Sequence, residues 1–218
     1  IDENVAIGTY VGITSHSTDT DPADNTVQYS LTNDGGGLFT IDATTGVIRT
    51  AAQIDRETTG PSIDIEVQAE DVVGNVSTQT FTIAITDVND RTPAIASAAT
   101  FTLAENQTSV GTVVAADSDA TAANSTVSYA ISGGADAALF TINAATGALS
   151  FAAAPDYEAG QHSFAVTVKA TDGTLFSTQD LTVNLADLND RTPAITSARF
   201  SDSAKRAASA SDACSDKV

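Results

Sequence analysis

Carboxylates are the residues of this sequence whose types and spacing could do chemistry. They recur in short motifs in which acids stand close together, and most motifs occur twice, about 100 residues apart. Crowded carboxylates repel one another and burial raises that cost, so such a group either takes up protons or binds a cation. An oxygen-only ligand set without His or Cys suits calcium, with its irregular coordination by several oxygens, better than octahedral magnesium. The acidic motifs therefore predict a calcium site.

The candidate ligands lie in loops and at strand ends that a sandwich of strands would bring to one pole. The loops of a second domain, following in the chain, would face that pole. Three calcium ions would offset most of the charge of the carboxylates that we expect to converge there, which are Glu3, Asp55, Glu57, Asp87, Asp90, Asp117, Asp119 and Asp172.

Composition excludes several classes of function. The 218 residues include 28 acidic and 9 basic side chains, which gives a formal net charge of −19. So acidic a surface repels nucleic acid and anionic membranes. Cys214 is the only cysteine, so no disulfide can form within the chain. No apolar run approaches the ~18 residues needed to cross a bilayer, so we predict no direct membrane insertion.

A tandem repeat sets the predicted organisation. Residues 87–95 (DVNDRTPAI) recur as residues 187–195 (DLNDRTPAI), an offset of whole-domain size. We predict a first domain at 1–93 with a truncated first strand and a second domain at 94–195. Residues 196–218 are predicted to be a flexible tail or the start of an incomplete third unit. The first residues resemble the middle of a domain, so we expect a piece of a longer protein.

The apolar residues alternate with polar ones, as in strands with one buried face. Ile63, Ile65 and Val67 show this period of two, and no sustained helical period occurs. Thr-Gly pairs at Gly46 and Gly147 predict hairpin turns in which glycine adopts a positive φ. About seven antiparallel strands per ~100 residues are typical of immunoglobulin-like domains. The predicted fold class is all-β, with two tandem Greek-key β-sandwiches.

The ordered motifs Glu-Asn, Asp-Arg-Glu, Asp-x-Asp, Ala-x-Asp and Asp-x-Asn-Asp-x-x-Pro resemble the extracellular cadherin repeat, over residues 1 to about 195. The resemblance implies about three calcium ions at the interdomain junction. It assigns the first ion to Glu3, Asp55, Glu57 and Asp90. It assigns the second to Glu3, Glu57, Asp87, Asp90, Asp119 and the Val88 carbonyl. It assigns the third to Asn89, Asp117, Asp119, Asp172, the Arg91 carbonyl and a carbonyl near Asn124.

Two positions depart from the family pattern. Arg91 stands where the family usually has Asn, at a position that contributes a backbone carbonyl, and Asp156-Tyr157-Glu158 replaces the second Asp-Arg-Glu. The resemblance also implies half-sites toward neighbouring repeats in the parent chain. Their predicted members are Asp19, Asp21 and Asp71 upstream, and Glu105, Asp156, Glu158, Asp187, Asn189 and Asp190 downstream.

The predicted function is calcium-stiffened cell adhesion or extension by part of a secreted or membrane-associated adhesin. We expect an extracellular or cell-surface location, no enzymatic activity, and calcium, other copies of the protein or extracellular polysaccharide as partners. The Ala-, Thr- and Asp-rich composition resembles bacterial cadherin-like repeats.

Two alternatives stay open. One is a calcium-dependent carbohydrate-binding module, for which Tyr10 and Tyr157 are the aromatic candidates, and the other is a passive spacer in a large repeat protein. A glycosidase needs two facing carboxylates, whereas these are numerous and clustered.

Overall fold

The computed structural model describes residues 1–20 and 26–195. The predicted ligand Asp21 and the predicted tail at 196–218 lie outside the described residues. One compact unit spans Ile1–Ala186 and contains both copies of the repeat, and a second unit begins at Asp187. The described part of that second unit, residues 187–195, has neither helix nor strand.

Within the described residues, the first copy forms two three-stranded antiparallel sheets, ordered β1-β4-β3 and β2-β5-β6. Its elements are β1 (Tyr10–Thr14), β2 (Val27–Asn33), β3 (Phe39–Ile41), β4 (Val47–Thr50), the one-turn helix α1 (Arg56–Thr59), β5 (Ser62–Asp71) and β6 (Val76–Ala84).

The second copy repeats this plan with an additional strand pair. Its sheets are ordered β11-β14-β15-β8 and β12-β13-β9, and β7 pairs with β10. The elements are β7 (Ala94–Ile95), β8 (Thr100–Ala104), β9 (Ser109–Thr112), β10 (Ala115–Ala116), helix α2 (Ala122–Ser125), β11 (Ser128–Gly133), β12 (Phe140–Ile142), β13 (Ala148–Phe151), β14 (Ser163–Thr171) and β15 (Phe176–Ala186). Single 3₁₀ turns cover Ala137–Leu139 and Tyr157–Ala159.

Alternating side chains build a separate core in each copy. In the first, Ile65 and Val67 of β5 are buried against Ile83 of β6, and in the second Val166 and Val168 of β14 take the same places. Each fully buried side chain of this size contributes roughly 1.5–3 kcal/mol of transfer free energy. The predicted all-β fold of two sandwiches is confirmed, and its strand alternation follows the buried faces.

One strand pair differs from the antiparallel expectation. Strand β8 runs parallel to β15, with Thr100 opposite Thr182 and Ala104 opposite Ala186. In the first copy, Asp2 bridges in parallel to Thr86. The opening strand of each copy therefore ends beside the end of its last strand. In the first copy this brings the Glu-Asn motif next to the linker, where Glu3 accepts the Val88 N–H.

Glycines with a positive φ close the matching hairpins β3–β4 and β12–β13, as predicted. Gly46 has φ +67° and Gly147 has φ +70°. A Cβ atom would lie 2.3 Å from the Ser15 carbonyl oxygen at Gly46 and 2.1 Å from the Val113 carbonyl oxygen at Gly147. Both turns therefore exclude a larger side chain.

Candidate metal centre

The Glu-Asn motif buries a carboxylate at the start of each copy. Glu3 is 2% exposed, and its oxygens accept the N–H groups of Arg56 (2.6 Å) and Val88 (2.8 Å). Asn4 adopts a left-handed φ of 56°, which turns the chain away after the buried residue. Glu105 is equally buried and accepts the Tyr157 N–H at 2.6 Å. The motif thus fixes the segment that carries the next acids.

Helix α1 presents the two acids of the Asp-Arg-Glu motif. Asp55 is the N-cap, and its Oδ1 accepts the Glu57 N–H at 3.1 Å. Glu57 Oε1 accepts the Ala120 N–H of the second copy at 3.0 Å. Arg56 donates to the Ile85 carbonyl and lies 3.9 Å from Asp87. The short turn therefore directs one carboxylate across to the second copy.

Asp119 connects the second copy to the linker. It is 6% exposed, and its Oδ1 accepts the N–H groups of Arg91 (3.2 Å) and Asp90 (3.4 Å). Asp117 Oδ1 accepts the Asp119 N–H at 3.0 Å, and Asp172 is held by the N–H groups of its own turn. The Asp-x-Asp motif thus has one acid that orients the backbone and one that contacts the linker.

Asp87 is satisfied by hydrogen bonds from the second copy. Its oxygens accept N–H groups from Ala120 (3.2 Å) and Thr121 (3.1 Å), the Thr121 hydroxyl, and the Asn124 side-chain amide at 2.8 Å. The side chain of Asn124 thus donates to Asp87. Thr121 and Ala120 were not singled out from the sequence, because backbone N–H donors leave no residue-type signal.

Three groups of carboxylates form a row across the junction. In each group, one oxygen from every residue lies within 4.8 Å of the others. Glu57 and Asp119 belong to two groups each, so the groups are contiguous. The groups are Glu3–Glu57–Asp87, Glu57–Asp90–Asp119 and Asp117–Asp119–Asp172. Asp55 is outside these groups and contacts Arg91 instead.

Several oxygens along this row are buried and accept no hydrogen bond. Burying a polar atom without a partner costs free energy, so such atoms mark places where a ligand fits. A hard cation is the ligand that suits oxygens alone. These oxygens are Glu57 Oε2, Asn89 Oδ1, Asp117 Oδ2, Asp119 Oδ2 and Asp172 Oδ2.

The pKa shifts divide the row into strained and satisfied acids. Burial raises the pKa of Asp119, and the charges of Asp117 and Asp90 add to this rise. Burial likewise raises the pKa of Glu57. Burial also opposes ionisation of Asp87, but its hydrogen bonds outweigh that effect and lower its pKa. The protein therefore disfavours negative charge at Glu57 and Asp119, where a bound cation would favour it.

Arg91 neutralises part of the cluster, in addition to Arg56 beside Asp87. Arg91 Nη2 lies 2.8 Å from Asp55 Oδ2, and this hydrogen bond lowers the pKa of Asp55. The predicted backbone role of Arg91 does not involve this side chain. The direction of the Arg91 side chain could not be read from the sequence, although a basic residue directly after a segment with three acidic or amide residues (87–90) is a signal for an internal ion pair.

The predicted half-sites are partly assembled. Asp19 and Asp71 line one shallow cavity of about 280 Å³. Glu105, Asp156 and Glu158 form a further group with oxygens within 4.8 Å. Asp187, Asn189 and Asp190 belong to the second compact unit.

The family follows from comparison with known proteins. The family model described as "Cadherin domain" matches residues 1–86 and 99–186, which together make up most of the chain. The chain belongs to the cadherin family. Its two sandwiches are cadherin repeats, a module of cell-adhesion proteins.

Curated relatives are long cadherins from animals. The chain is 31% identical over 212 residues to "Cadherin EGF LAG seven-pass G-type receptor fmi-1" of Caenorhabditis elegans, a match that covers 89% of this chain and 8% of that protein. It is 33% identical over 201 residues to human "Protocadherin Fat 4", covering 88% of this chain and 4% of the relative. The chain therefore spans less than a tenth of these two relatives. The resemblance to bacterial repeats stays a prediction.

Solved structures give the same result. Mouse Cadherin-23 EC22-24 superposes with a TM-score of 0.75 at 28% identity, covering 85% of this chain and 61% of that one. The extracellular domain of Protocadherin GammaB4 gives a TM-score of 0.73 at 29% identity, covering 87% and 32%. The predicted extracellular or cell-surface location is confirmed. In the part of the cadherin chain that the structure describes, each helix is too short or too polar to cross a bilayer.

Proposed function

We propose that the row of carboxylates binds calcium and that this binding stiffens the link between the two cadherin repeats. The carrying observation is the set of buried oxygens without hydrogen bonds at Glu57, Asn89, Asp117, Asp119 and Asp172. The three contiguous groups offer positions for up to three ions. The predicted carbonyl ligands of Val88 and Arg91, and a domain boundary near residue 93, belong to this proposal.

Residues from both repeats and the linker would coordinate the same cation. Glu57 belongs to the first repeat, Asp90 to the linker and Asp119 to the second repeat, and their oxygens lie within 4.8 Å of one another. A bound divalent cation would supply positive charge and oxygen coordination there. Because Asp119 also holds the linker N–H groups, its ionised form would fix the linker backbone and the second repeat together. Chelation would remove this restraint and restore carboxylate repulsion.

The experiment is a calorimetric calcium titration of the chelator-stripped chain, with thermal unfolding in calcium and in chelator. Calcium that binds only the assembled junction should raise the melting temperature by mass action. Asp119→Asn removes a carboxylate shared by two groups and should abolish most of the calcium-induced rise. Asp180→Asn, at an exposed site on β15, is the matched control and should leave it unchanged. If calcium raises the melting temperature of Asp119→Asn as much as that of wild type, the assignment of the calcium site to this row is contradicted.

At the level of the parent protein, we propose adhesion through other copies or neighbouring repeats, without catalysis. Calcium-dependent aggregation of coated beads tests this role, and beads that stay dispersed would favour the passive spacer. Of the two tyrosines considered for sugar binding, Tyr157 stacks on His162 with ring centroids 3.7 Å apart, and Tyr10 is 44% exposed. The comparisons lend the polysaccharide alternative no support, and a pull-down on insoluble polysaccharide would test it.

A further inference from the structure

The Arg91 guanidinium lies near Asp55 at one end of the carboxylate row, against two acids of one segment of the first repeat and one acid of the linker. Its Nη2 is 2.8 Å from Asp55 Oδ2 and 3.5 Å from Glu57 Oε2, and its Nε is 3.3 Å from Asp90 Oδ1. A guanidinium is planar and always charged, so it can join several carboxylates at once. The Arg91 guanidinium therefore supplies the positive charge among these three carboxylates, where a bound metal cation would otherwise be expected.

The backbone and side chain of Arg91 face different repeats. Its N–H donates to Asp119 of the second repeat at 3.2 Å, while its side chain reaches back to Asp55 and Glu57 of the first. The other oxygen of Asp90 accepts a hydrogen bond from the Asn4 amide at 2.5 Å. Arg91 is thus held from both sides, and its side chain has a defined position.

The ligand set at this end fits a metal ion less well than the rest of the row. Asp55 is absent from the three junction groups whose oxygens converge, although the resemblance to the family assigns it to the first ion. Glu57 and Asp90 are shared between Arg91 and the middle group. Asp117, Asp119 and Asp172 at the other end have buried oxygens without hydrogen bonds and, within the described residues, no ion pair with an arginine side chain. Glu57 Oε2 is also buried without a hydrogen bond, but the Arg91 guanidinium lies 3.5 Å from it. A guanidinium and a metal ion would compete for the oxygens near Asp55.

We propose that Arg91 is a built-in counter-ion for Asp55, Glu57 and Asp90, and that it excludes one divalent ion from this end of the junction. The junction then takes up two calcium ions where its carboxylates would otherwise hold three. The exclusion of an ion rests on the proposed function, whereas the counter-ion role applies to the metal-free protein as well. The two parts therefore need separate measurements.

The first measurement counts calcium ions by native mass spectrometry and calorimetry on the full chain and on Arg91→Gln. The variant should bind one more calcium ion per chain than wild type. Arg191→Gln removes the same charge from the second copy of the motif and should leave the count unchanged. If Arg91→Gln binds the same number of calcium ions as wild type, at any affinity, the proposed exclusion of an ion is overturned. A wild-type chain that binds no calcium would overturn both the exclusion and the proposed function.

The second measurement is thermal unfolding in chelator at low and high salt. Without metal, Arg91→Gln leaves three close carboxylates without their cation, so its melting temperature should fall by a few degrees below that of Arg191→Gln. Screening by salt should narrow the difference. A metal-free melting temperature no lower than that of Arg191→Gln would overturn the counter-ion role, even if calcium binding by the wild type is established.

Discussion

The two cadherin repeats bury chemically different side chains at one equivalent strand position. Phe39 pairs with Thr50 in the first repeat, and Phe140 pairs with Phe151 in the second, so Thr50 and Phe151 are equivalent. Both are buried, at 1% and 4% exposure. One is a hydrogen-bonding residue and the other a large apolar one.

The difference follows from the loop after the Glu-Asn motif. Five residues, 5–9, separate Asn4 from β1, whereas residues 107–108 alone separate Asn106 from β9. The longer loop folds over Thr50, whose hydroxyl accepts the Thr9 N–H and donates to the Ala6 carbonyl, both at 3.0 Å. In the second repeat the position equivalent to Thr50 is occupied by the buried ring of Phe151.

Phe151 packs into a cluster of aromatic rings that has no counterpart among the described residues of the first repeat. Its ring centroid lies 4.3 Å from that of Phe140 and 5.1 Å from that of Phe164. Position 63, equivalent to Phe164, is an isoleucine in the first repeat. The two repeats therefore differ both in the length of this loop and in the composition of the core. Hydrogen-bonded Thr50 in the first repeat stands where the second repeat has the apolar ring of Phe151.

The largest effect should come from emptying the aromatic cluster. Phe151→Ala removes a buried ring with two ring neighbours, so we expect the second repeat to lose about 3–5 kcal/mol of unfolding free energy. Urea unfolding measures the loss, and hydrogen exchange should place the opening in residues 99–186. Phe176→Ala, at 56% exposure, is the control and should cost far less. If hydrogen exchange in Phe151→Ala became equally fast in the first repeat, the two repeats would not have separate cores.

The hairpin glycines should show where the repeats behave alike. Gly46→Ala and Gly147→Ala combine a left-handed φ with a steric overlap, so each should cost about 2–4 kcal/mol in its own repeat. Gly133→Ala, where the nearest atoms lie 3.8 Å from the added Cβ, is the control. Urea unfolding of the three variants checks this, and a wide difference between Gly46 and Gly147 would argue against equivalent turns.

A smaller loss is expected from the polar anchor. Thr50→Val keeps the shape but removes the hydroxyl that bonds the Thr9 N–H and the Ala6 carbonyl. The Thr9 N–H keeps a second acceptor, the Ala6 carbonyl at 3.1 Å, so each lost hydrogen bond should cost about 0.5–1.5 kcal/mol. Hydrogen exchange should become faster in residues 5–9. Thr40→Val, at an exposed site on β3, is the control. Unchanged exchange in the loop would show that the hydroxyl does not hold it.

The smallest effect concerns pH, because the equivalent turns carry a carboxylate in one repeat and an amide in the other. Asp42 accepts the N–H groups of Thr44 and Thr45, and Asn143 accepts the corresponding pair. Hydrogen bonds from Thr45, then Thr44, lower the pKa of Asp42. Its contribution is present above the unfolded value near 3.9 and is lost as the pH falls through the lower folded value.

Asp42→Asn should therefore lower stability slightly near pH 7, and this disadvantage should be smaller at about pH 3, below the unfolded pKa of aspartate, because the contribution of the charge decreases as the pH falls from there through the lower folded pKa. Thermal unfolding at both pH values measures the change. Asn143→Asp should introduce the same acid sensitivity into the second repeat. A stability difference between Asp42→Asn and wild type that does not vary with pH would contradict the role of the charge.

Sequence alone was sufficient to predict the strands whose side chains alternate between core and solvent. Ile65 and Val67 are buried as their spacing predicts, because a period of two directly reports which face is covered. The parallel pairing of β8 with β15 was not predictable in this way, because alternation shows that a face is buried but not which strand lies alongside.

The candidate site was predictable in its acids but not in their partners. The structure brings Glu57, Asp90 and Asp119 together. Whether an acid is satisfied by N–H groups, as Asp87 is, or left with an unpaired oxygen, as Asp119 is, depends on backbone directions at the junction. The direction of the Arg91 side chain depends on the same three-dimensional arrangement.

The parallel alignment of β8 with β15 also determines how a repeat would carry mechanical load. Because these strands run side by side in the same direction, the second repeat receives the chain at one end of the sheet and releases it at the other. We expect a pulling force to shear this ladder, and stepwise unzipping at low force in single-molecule stretching would contradict that expectation. Tension would then be shared by the whole row of backbone hydrogen bonds at once, so that the strand pair acts as a tether between neighbours.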